Sequence, residues 1–351
     1  MNYPQALLQY THIGTVTECV PFGGGHINDT FSVRTENGRY VLQRINSNVF
    51  KKPLQVMHNL LAVTEHIRKK AVIRGLDPRR ATLTVIPTDG GECCAETEGD
   101  IWRLCLFIDN SVARDRIEGP EDMYACAKAF GVFQRSLADL PADGLWHTIP
   151  DFHNTPKRLT ALEEAVRRNA AGRAASVGEE IEFALARRAL AEKLEKAHAE
   201  GLLPLRITHN DTKLNNVLFD AASGAVLAVI DLDTVMPGYS VNDLGDLVRY
   251  GASTAAEDER DLSKVALDME LYRAAVDGFV CGCGNALTAA ERELLPYGAM
   301  LMTYECGVRF LTDYLDGDVY FKVHRKDHNL DRCRNQFALL ADMERKLIPC
   351  N

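Results

Sequence analysis

The residue types able to do chemistry in this 351-residue chain concentrate in two short segments. The first is Ile207-Thr208-His209-Asn210-Asp211-Thr212-Lys213-Leu214-Asn215-Asn216. It carries a carboxylate, an ammonium two residues later and a carboxamide five residues later. The second, Val229-Ile230-Asp231-Leu232-Asp233, is an apolar stretch that ends in two carboxylates, and Asp231 stands twenty positions after Asp211. A loop carboxylate can take the proton of an attacking hydroxyl. Carboxamide and carboxylate oxygens are hard ligands suited to Mg²⁺. A proton acceptor, magnesium ligands and a nearby ammonium are the equipment for phosphoryl transfer, in which the protein mainly positions the reactants and neutralises charge. Asp211 is therefore the candidate base. Lys213 is the candidate to stabilise the transferring phosphate, and Asn216 and Asp231 are the candidate metal ligands. Asp233 is either a further metal ligand or a residue that orients the loop, and His209 is read as structural. Each of these alone would pass for a turn or cap residue; the combined spacing makes them a candidate site.

The flanking sequence supplies elements to hold such a site. Residues 13–43 read as strands around glycine turns: Thr15–Val20, Thr30–Thr35 and Tyr40–Gln43, with Asn37-Gly38 as a hairpin signal. Between the first two lies Gly23-Gly24-Gly25, whose backbone N–H groups can approach phosphates closely. His26, Asn28 and Asp29 follow it directly. Residues 53–70 carry a helical apolar stripe, and two more strands are expected at 83–87 and 101–108. After about residue 110 the pattern turns helical, with helices expected at 120–139, 254–280, 288–315 and 331–348. Residues 157–200 read as two exposed helices split near Gly178, with solvated polar faces. The expected fold class is α+β and bilobal. A small β-rich lobe spans 1–109, with a hinge at 106–111, and a larger helical lobe spans 110–351.

Composition narrows the function class. The chain is 46% apolar and 25% charged, enough for a sizeable core, and its net charge of −9 argues against a general nucleic-acid or membrane-surface binder. The ten cysteines have no zinc-type spacing, so free thiols in a reducing compartment are expected. No secretory signal and no apolar run of about 20 residues is apparent, so the expectation is a cytoplasmic protein acting on a small molecule, as a monomer.

The spacing of the two chemical segments resembles the kinase catalytic loop, H-R-D-x-x-x-x-N followed by D-F-G. Kinases place a lysine on the third strand against the nucleotide phosphates. Here Gln43 holds that position and Arg44 points to the opposite face, so either a neutral amide serves or a cation from elsewhere substitutes. More closely, the chain resembles the aminoglycoside phosphotransferase and choline kinase superfamily, and within it the N-acetylhexosamine 1-kinases. The resemblance rests on Pro21–Asn28, Tyr40–Gln43, Arg206–Asn216, Ile230–Gly238, Gly251–Thr254, Glu305–Leu311 and Asp313–Phe321. It implies a protein-kinase-like fold, ATP and Mg²⁺ as cofactors, and transfer to the anomeric hydroxyl of N-acetylglucosamine or N-acetylgalactosamine. It also implies nucleotide contacts at Gly23, Gly24, Gly25, Gln43, Phe107 and Ile108. Arg309 and Tyr320 would contact the sugar, with His26, Thr234 and Tyr250 near it. The chain departs from those kinases at Gly24 and Tyr250, both in the region assigned to substrate. Two alternatives stay open. One is a kinase for another hydroxyl acceptor, such as an amino alcohol, homoserine or an aminoglycoside, for which Asp313, Asp316 and Asp318 would supply acidic contacts. The other is a nucleotide-binding regulatory protein without turnover.

Overall fold

Strand and helix follow from where the apolar residues recur. Leu42 and Leu104 are fully buried on facing strands, while helix positions 56, 57, 60, 63, 67 and 71 form one apolar face. In chain order the elements of the computed structural model, which describes residues 4–23 and 27–348, are β1 (Val16–Pro21), β2 (Asp29–Thr35), β3 (Gly38–Arg44), α1 (Pro53–Ile73), α2 (Pro78–Ala81), β4 (Val85–Ile86), β5 (Ala95–Thr97), β6 (Asp100–Leu106), β7 (Ser111–Ala113), α3 (Pro120–Leu137), α4 (Thr155–Arg168), α5 (Gly178–Leu185), α6 (Arg188–Ala191), α7 (Lys193–Ala199), β8 (Arg206–Thr208), β9 (Val217–Asp220), β10 (Val226–Val229), β11 (Met236–Gly238), α8 (Ser240–Gly251), α9 (Met269–Cys283), α10 (Ala289–Asp316) and α11 (His328–Leu347). They form two units. The first holds the chain up to Arg114 together with Asp139–Pro150 and Asn216–Pro237. The second holds Asp115–Ala138, Asp151–Asn215 and the chain from Gly238 onward.

The first unit is built on an antiparallel sheet in the order β1-β2-β3-β6-β4, with β5 also on β6. One face packs Val33, Tyr40, Leu42 and Leu104 against Ala6, Leu7, Tyr10 and Ile13 from the N-terminal segment. The β2–β3 hairpin turns at Glu36-Asn37, with Thr35 opposite Gly38. A second small sheet, β10-β9-β7, explains why residues 216–237 join this unit: Val112 of β7 pairs with Phe219 of β9. Asn59 of α1 is fully buried and ties in both later segments. Its amide donates to the carbonyls of Trp146 (2.7 Å) and Val235 (2.9 Å), and its oxygen accepts the Trp146 N–H (2.9 Å). A buried amide so satisfied fixes three chain segments at once.

The second unit is helical. α3 lies along α9, and α10 packs against α4, α8 and α11. The helices approach closely at glycines. A Cβ on Gly131 would strike the Phe279 carbonyl, and one on Gly298 would strike that of Val241. α10 begins with a capping box between Thr288 and Glu291. Glu291 is fully buried and also holds Arg206 (2.6 and 2.7 Å) and Ser240 (2.7 Å), which fixes β8, the strand that feeds the chemical loop.

Three expectations need correction. The helix expected at 254–280 starts only at Met269, because the Asp268 carboxylate caps the N–H groups of Glu270 (2.8 Å) and Leu271 (3.1 Å). The two helices expected over 157–200 are four. The first stops at Asn169, which adopts a left-handed φ of 44°. Their polar faces are also not simply solvated, since Arg187 pairs with Glu344 (2.8 Å), Glu180 with Arg334 (2.5 Å), and Arg188 with Glu163. Among the described residues, no helix is long and apolar enough to cross a membrane, and no group of three or more His, Cys, Asp or Glu could hold a metal ion.

Candidate active site

In the second unit the loop after β8 is held from below by α8. Asp243 is buried, and its carboxylate accepts the backbone N–H groups of His209 (3.0 Å) and Asn210 (2.8 Å) as well as the Gln134 amide (2.6 Å). Its carbonyl accepts the Thr212 hydroxyl (2.6 Å). One turn on, Asp246 accepts the Thr212 N–H (3.2 Å) and pairs with Arg249, which also binds Glu257 (2.7 Å). Burial would raise the Asp246 carboxyl, but Arg249, Lys213 and His153 outweigh it and hold it below the ordinary range. His209 is fully buried between the edges of Phe130 and Phe133, consistent with its structural reading.

On this platform Asp211 meets Lys213 at 2.8 Å. Burial alone would lower the Lys213 ammonium. The Asp211 and Asp246 carboxylates reverse the sign and raise it, so the lysine is a fixed cation beside the candidate base. Asn210, just before the base, has a left-handed φ of 65°. Such a conformation costs a non-glycine residue about 1–3 kcal/mol and persists only where surrounding bonds impose it.

Further along the same unit, Arg309 of α10 lies 5.8 Å from the Tyr320 ring and 5.4 Å from the Phe321 ring. Its guanidinium has no ion pair or hydrogen bond among the described residues. Tyr320 is 69% exposed, so its ring is open to solvent. The segment that displays it is held by Asp313, which accepts the N–H groups of Val319 (2.9 Å), Tyr320 (2.8 Å) and Phe321 (3.0 Å). Arg158 stands close enough to Arg309 that its guanidinium is depressed, first by burial and then by that like charge. Tyr250 is half exposed on α8, and its side chain bonds to none of the described residues.

In the first unit, Asn216 and Asp231 are brought alongside each other. The Ile230 N–H donates to the Asn216 carbonyl (2.9 Å), and Val217 pairs with Val229. Asp231 is solvent-exposed in a left-handed conformation (φ 58°, ψ 56°). Two hard oxygen donors, with nucleotide phosphates and waters completing the shell, fit Mg²⁺, which seldom takes an all-protein cage. Asp233 is occupied differently. It is 3% exposed, and its oxygens accept from Arg103 and from the Asn28 amide (2.7 Å), while its carbonyl accepts the Thr148 hydroxyl (3.0 Å). Both carboxylate oxygens of Asp233 are thus engaged by protein donors. Thr234 is buried in the same turn.

Gln43 faces Arg103 across the β3–β6 register. Its oxygen accepts from Nε (3.0 Å) and Nη2 (2.8 Å) of Arg103, and its own amide donates to the Thr30 hydroxyl (3.1 Å). Thus the third-strand glutamine has a buried cation beside it. Burial would lower the Arg103 pKa, and the Asp233 carboxylate overrides it. Gly23 has a left-handed φ of 78°, whereas Gly24, Gly25 and His26 lie outside the described residues. The Phe107 ring sits against Phe22 (5.9 Å) and under Arg39 (3.9 Å), with its N–H bonded to the Arg39 carbonyl (3.0 Å). Ile108 is buried, and its carbonyl accepts the Ser111 hydroxyl (2.6 Å).

Sequence reasoning missed four residues that hold these groups. Arg103 is signalled by a lone charge inside the apolar run Ile101–Leu106, and Asp243 and Asp246 by two acids at i, i+3 among the apolar residues Val241, Leu244, Leu247 and Val248. His153 carries no local signal.

Comparison with known proteins agrees with this architecture. The phosphotransferase enzyme family matches residues 18–275, and the chain belongs to that family. Its fold is similar to that of an aminoglycoside phosphotransferase from Alicyclobacillus acidocaldarius (12% identity, 99% of this chain and 96% of that one, TM-score 0.62). It is also similar to a microcompartment-associated aminopropanol kinase (14% identity, 98% and 96%, TM-score 0.58) and to a choline kinase from Streptococcus pneumoniae (12% identity, 95% and 97%, TM-score 0.53). At these identities the likeness speaks for the fold: a sheet-rich N-terminal part and a helical C-terminal part of the protein-kinase-like type.

Proposed function

We propose that this phosphotransferase moves the γ-phosphoryl group of ATP to the anomeric hydroxyl of an N-acetylhexosamine. Asp211 takes the hydroxyl proton as the oxygen attacks phosphorus and the bond to the bridging oxygen of ADP breaks. Lys213 supplies positive charge next to that carboxylate. Asn216 and Asp231 would hold magnesium, whose contribution when bound is to neutralise phosphate charge. ADP and AMP in structures of a spectinomycin phosphotransferase of similar fold support a purine nucleotide as donor.

The observation that carries the acceptor reading is the charge around Tyr320. Arg309 offers a guanidinium without a hydrogen bond among the described residues beside an exposed aromatic ring, and Arg158 adds a second cation. The acids that would face a cationic acceptor already have partners in the protein. Asp313 binds three backbone N–H groups, Asp316 pairs with Arg168 (2.6 Å), and Asp318 pairs with Arg173 (2.6 Å) and Asn329 (2.9 Å). Planar guanidinium donors and an aromatic face suit sugar hydroxyls and an acetamido carbonyl, and the two guanidinium charges repel ammonium groups. Proteins of similar fold act on aminopropanol and choline, so an amine acceptor is the competing reading. Turnover of ATP/Mg²⁺ against N-acetylhexosamines, free hexosamines, choline, aminopropanol and an aminoglycoside separates the two. Preference for the acetylated sugars is expected; preference for an amine would overturn the acceptor assignment.

A further inference from the structure

The peptide unit that joins Asn210 to the candidate base is pinned at both ends by histidines. Its N–H, on Asp211, donates to Nδ1 of His209 (3.3 Å), and its carbonyl, on Asn210, lies 3.2 Å from Nε2 of His153. A carbonyl oxygen only accepts, so Nε2 of His153 must carry a proton. The other ring nitrogen, Nδ1, faces a carboxylate oxygen of Glu305 at 2.9 Å, and the second Glu305 oxygen accepts the Thr155 hydroxyl (2.7 Å). With acceptors on both sides, the ring is best satisfied as an imidazolium. Glu305 is 1% exposed, and Asp246 on α8 adds a second negative group toward the same ring. Burial would lower the His153 pKa, but these carboxylates reverse the sign. Glu305 also sits four residues, one helical turn, before Arg309 on α10.

We infer that His153 is a positioning residue: held by Glu305, it grips the Asn210 carbonyl, keeps the left-handed turn before Asp211 in place, and ties the base to the helix that carries Arg309. This rests on the reading of Asp211 as the base. A proton acceptor misplaced by a fraction of an ångström loses rate rather than affinity. His153 therefore acts on kcat through Asp211 and touches no substrate itself.

Two near-isosteres separate its bonds. The amide nitrogen of His153→Gln reaches the Nε2 position and keeps the bond to Asn210. The amide of His153→Asn reaches only the Nδ1 position and keeps the bond to Glu305. Losing a hydrogen bond from a charged donor is worth about ten- to a hundredfold. H153N should therefore lose about that much kcat, H153Q clearly less, and both should keep KM for ATP and acceptor within about twofold. In an Asp211→Asn background, H153N should cost almost nothing more, because its effect passes through the missing carboxylate. Equal loss in H153Q and H153N, or full additivity with D211N, would overturn the proposal. If H153N fails to fold, ¹⁵N-histidine NMR of the wild-type chain decides. Protonated Nε2 at His153 is expected, and a bare Nε2 would contradict it. An active D211N would instead defeat the base assignment and leave the His153 spectrum unaffected, so the two failures are distinguishable.

Discussion

Asp233→Ala decides whether the second acid of the D-x-D segment is an anchor or a metal ligand. Asp233 and Arg103 are 3% and 1% exposed, and among the described residues the Arg103 guanidinium has only Gln43 and Asp233 as hydrogen-bond acceptors. Removing the carboxylate leaves a cation buried against a neutral amide. Breaking a buried pair from one side costs about 3–5 kcal/mol. In a unit of this size, about 2–4 °C of melting temperature goes with each kcal/mol, so the midpoint should fall by about 6–20 °C. The assay is clean because the chain has two tryptophans, Trp102 and Trp146, and both lie in the first unit. Intrinsic fluorescence during heating or urea unfolding therefore reports that unit. Asp231→Ala is the contrast, since its carboxylate is exposed: Mg²⁺·ATP affinity should fall while the tryptophan midpoint barely moves. Replacing the pair together, Arg103→Met with Asp233→Leu, should recover much of the lost stability, because neither charge is then stranded. An Asp233→Ala protein that melts like wild type and has lost magnesium affinity would refute the anchor reading.

Asp211→Asn should keep its fold and lose about 10²–10⁴-fold in kcat, the usual worth of a general base; steady-state kinetics with a thermal melt checks it, and activity within about tenfold of wild type would contradict it. Arg309→Ala should raise KM for the N-acetylhexosamine by about ten- to a hundredfold and leave KM for ATP nearly unchanged; a destabilised protein with normal sugar KM would make Arg309 structural. The His153–Glu305 pair should also leave a mark on stability against pH. The raised His153 pKa contributes stability that is complete below the ordinary value of 6.5 and is lost as pH rises through the folded value; the lowered Glu305 pKa contributes above its ordinary 4.5 and is lost as pH falls through the folded value. The urea stability difference between wild type and H153Q should therefore be largest between 4.5 and 6.5 and shrink above it; a difference that grows with alkalinity would show a neutral ring.

The fold was legible where apolar periodicity and turn residues agree. The strands β1 to β4 and β6 and the helices α1, α3, α10 and α11 stand close to where their patterns put them, whereas β5 had no such pattern. Asp268 and Asn169 misled because a cap and a left-handed stop override a helical composition locally. The chemical loop could be read because its residues are close in sequence. The groups that hold it could not, because each acts across the chain: Arg103 on Asp233 over 130 residues, Asp243 on Asn210 over 33, His153 on Asn210 over 57. Asp313, Asp316 and Asp318 read in sequence as acidic contacts for a cation, and only the fold shows their partners: backbone N–H groups, Arg168 and Arg173.

Transfer to an anomeric oxygen is tested most directly by ³¹P and ¹H NMR of the product formed from ATP, Mg²⁺ and N-acetylglucosamine or N-acetylgalactosamine, beside the corresponding methyl glycoside. A phosphate coupled to the anomeric proton is expected, with no reaction of the glycoside, whose attacking hydroxyl is blocked. A glycoside that is turned over to a 6-phosphate would contradict it.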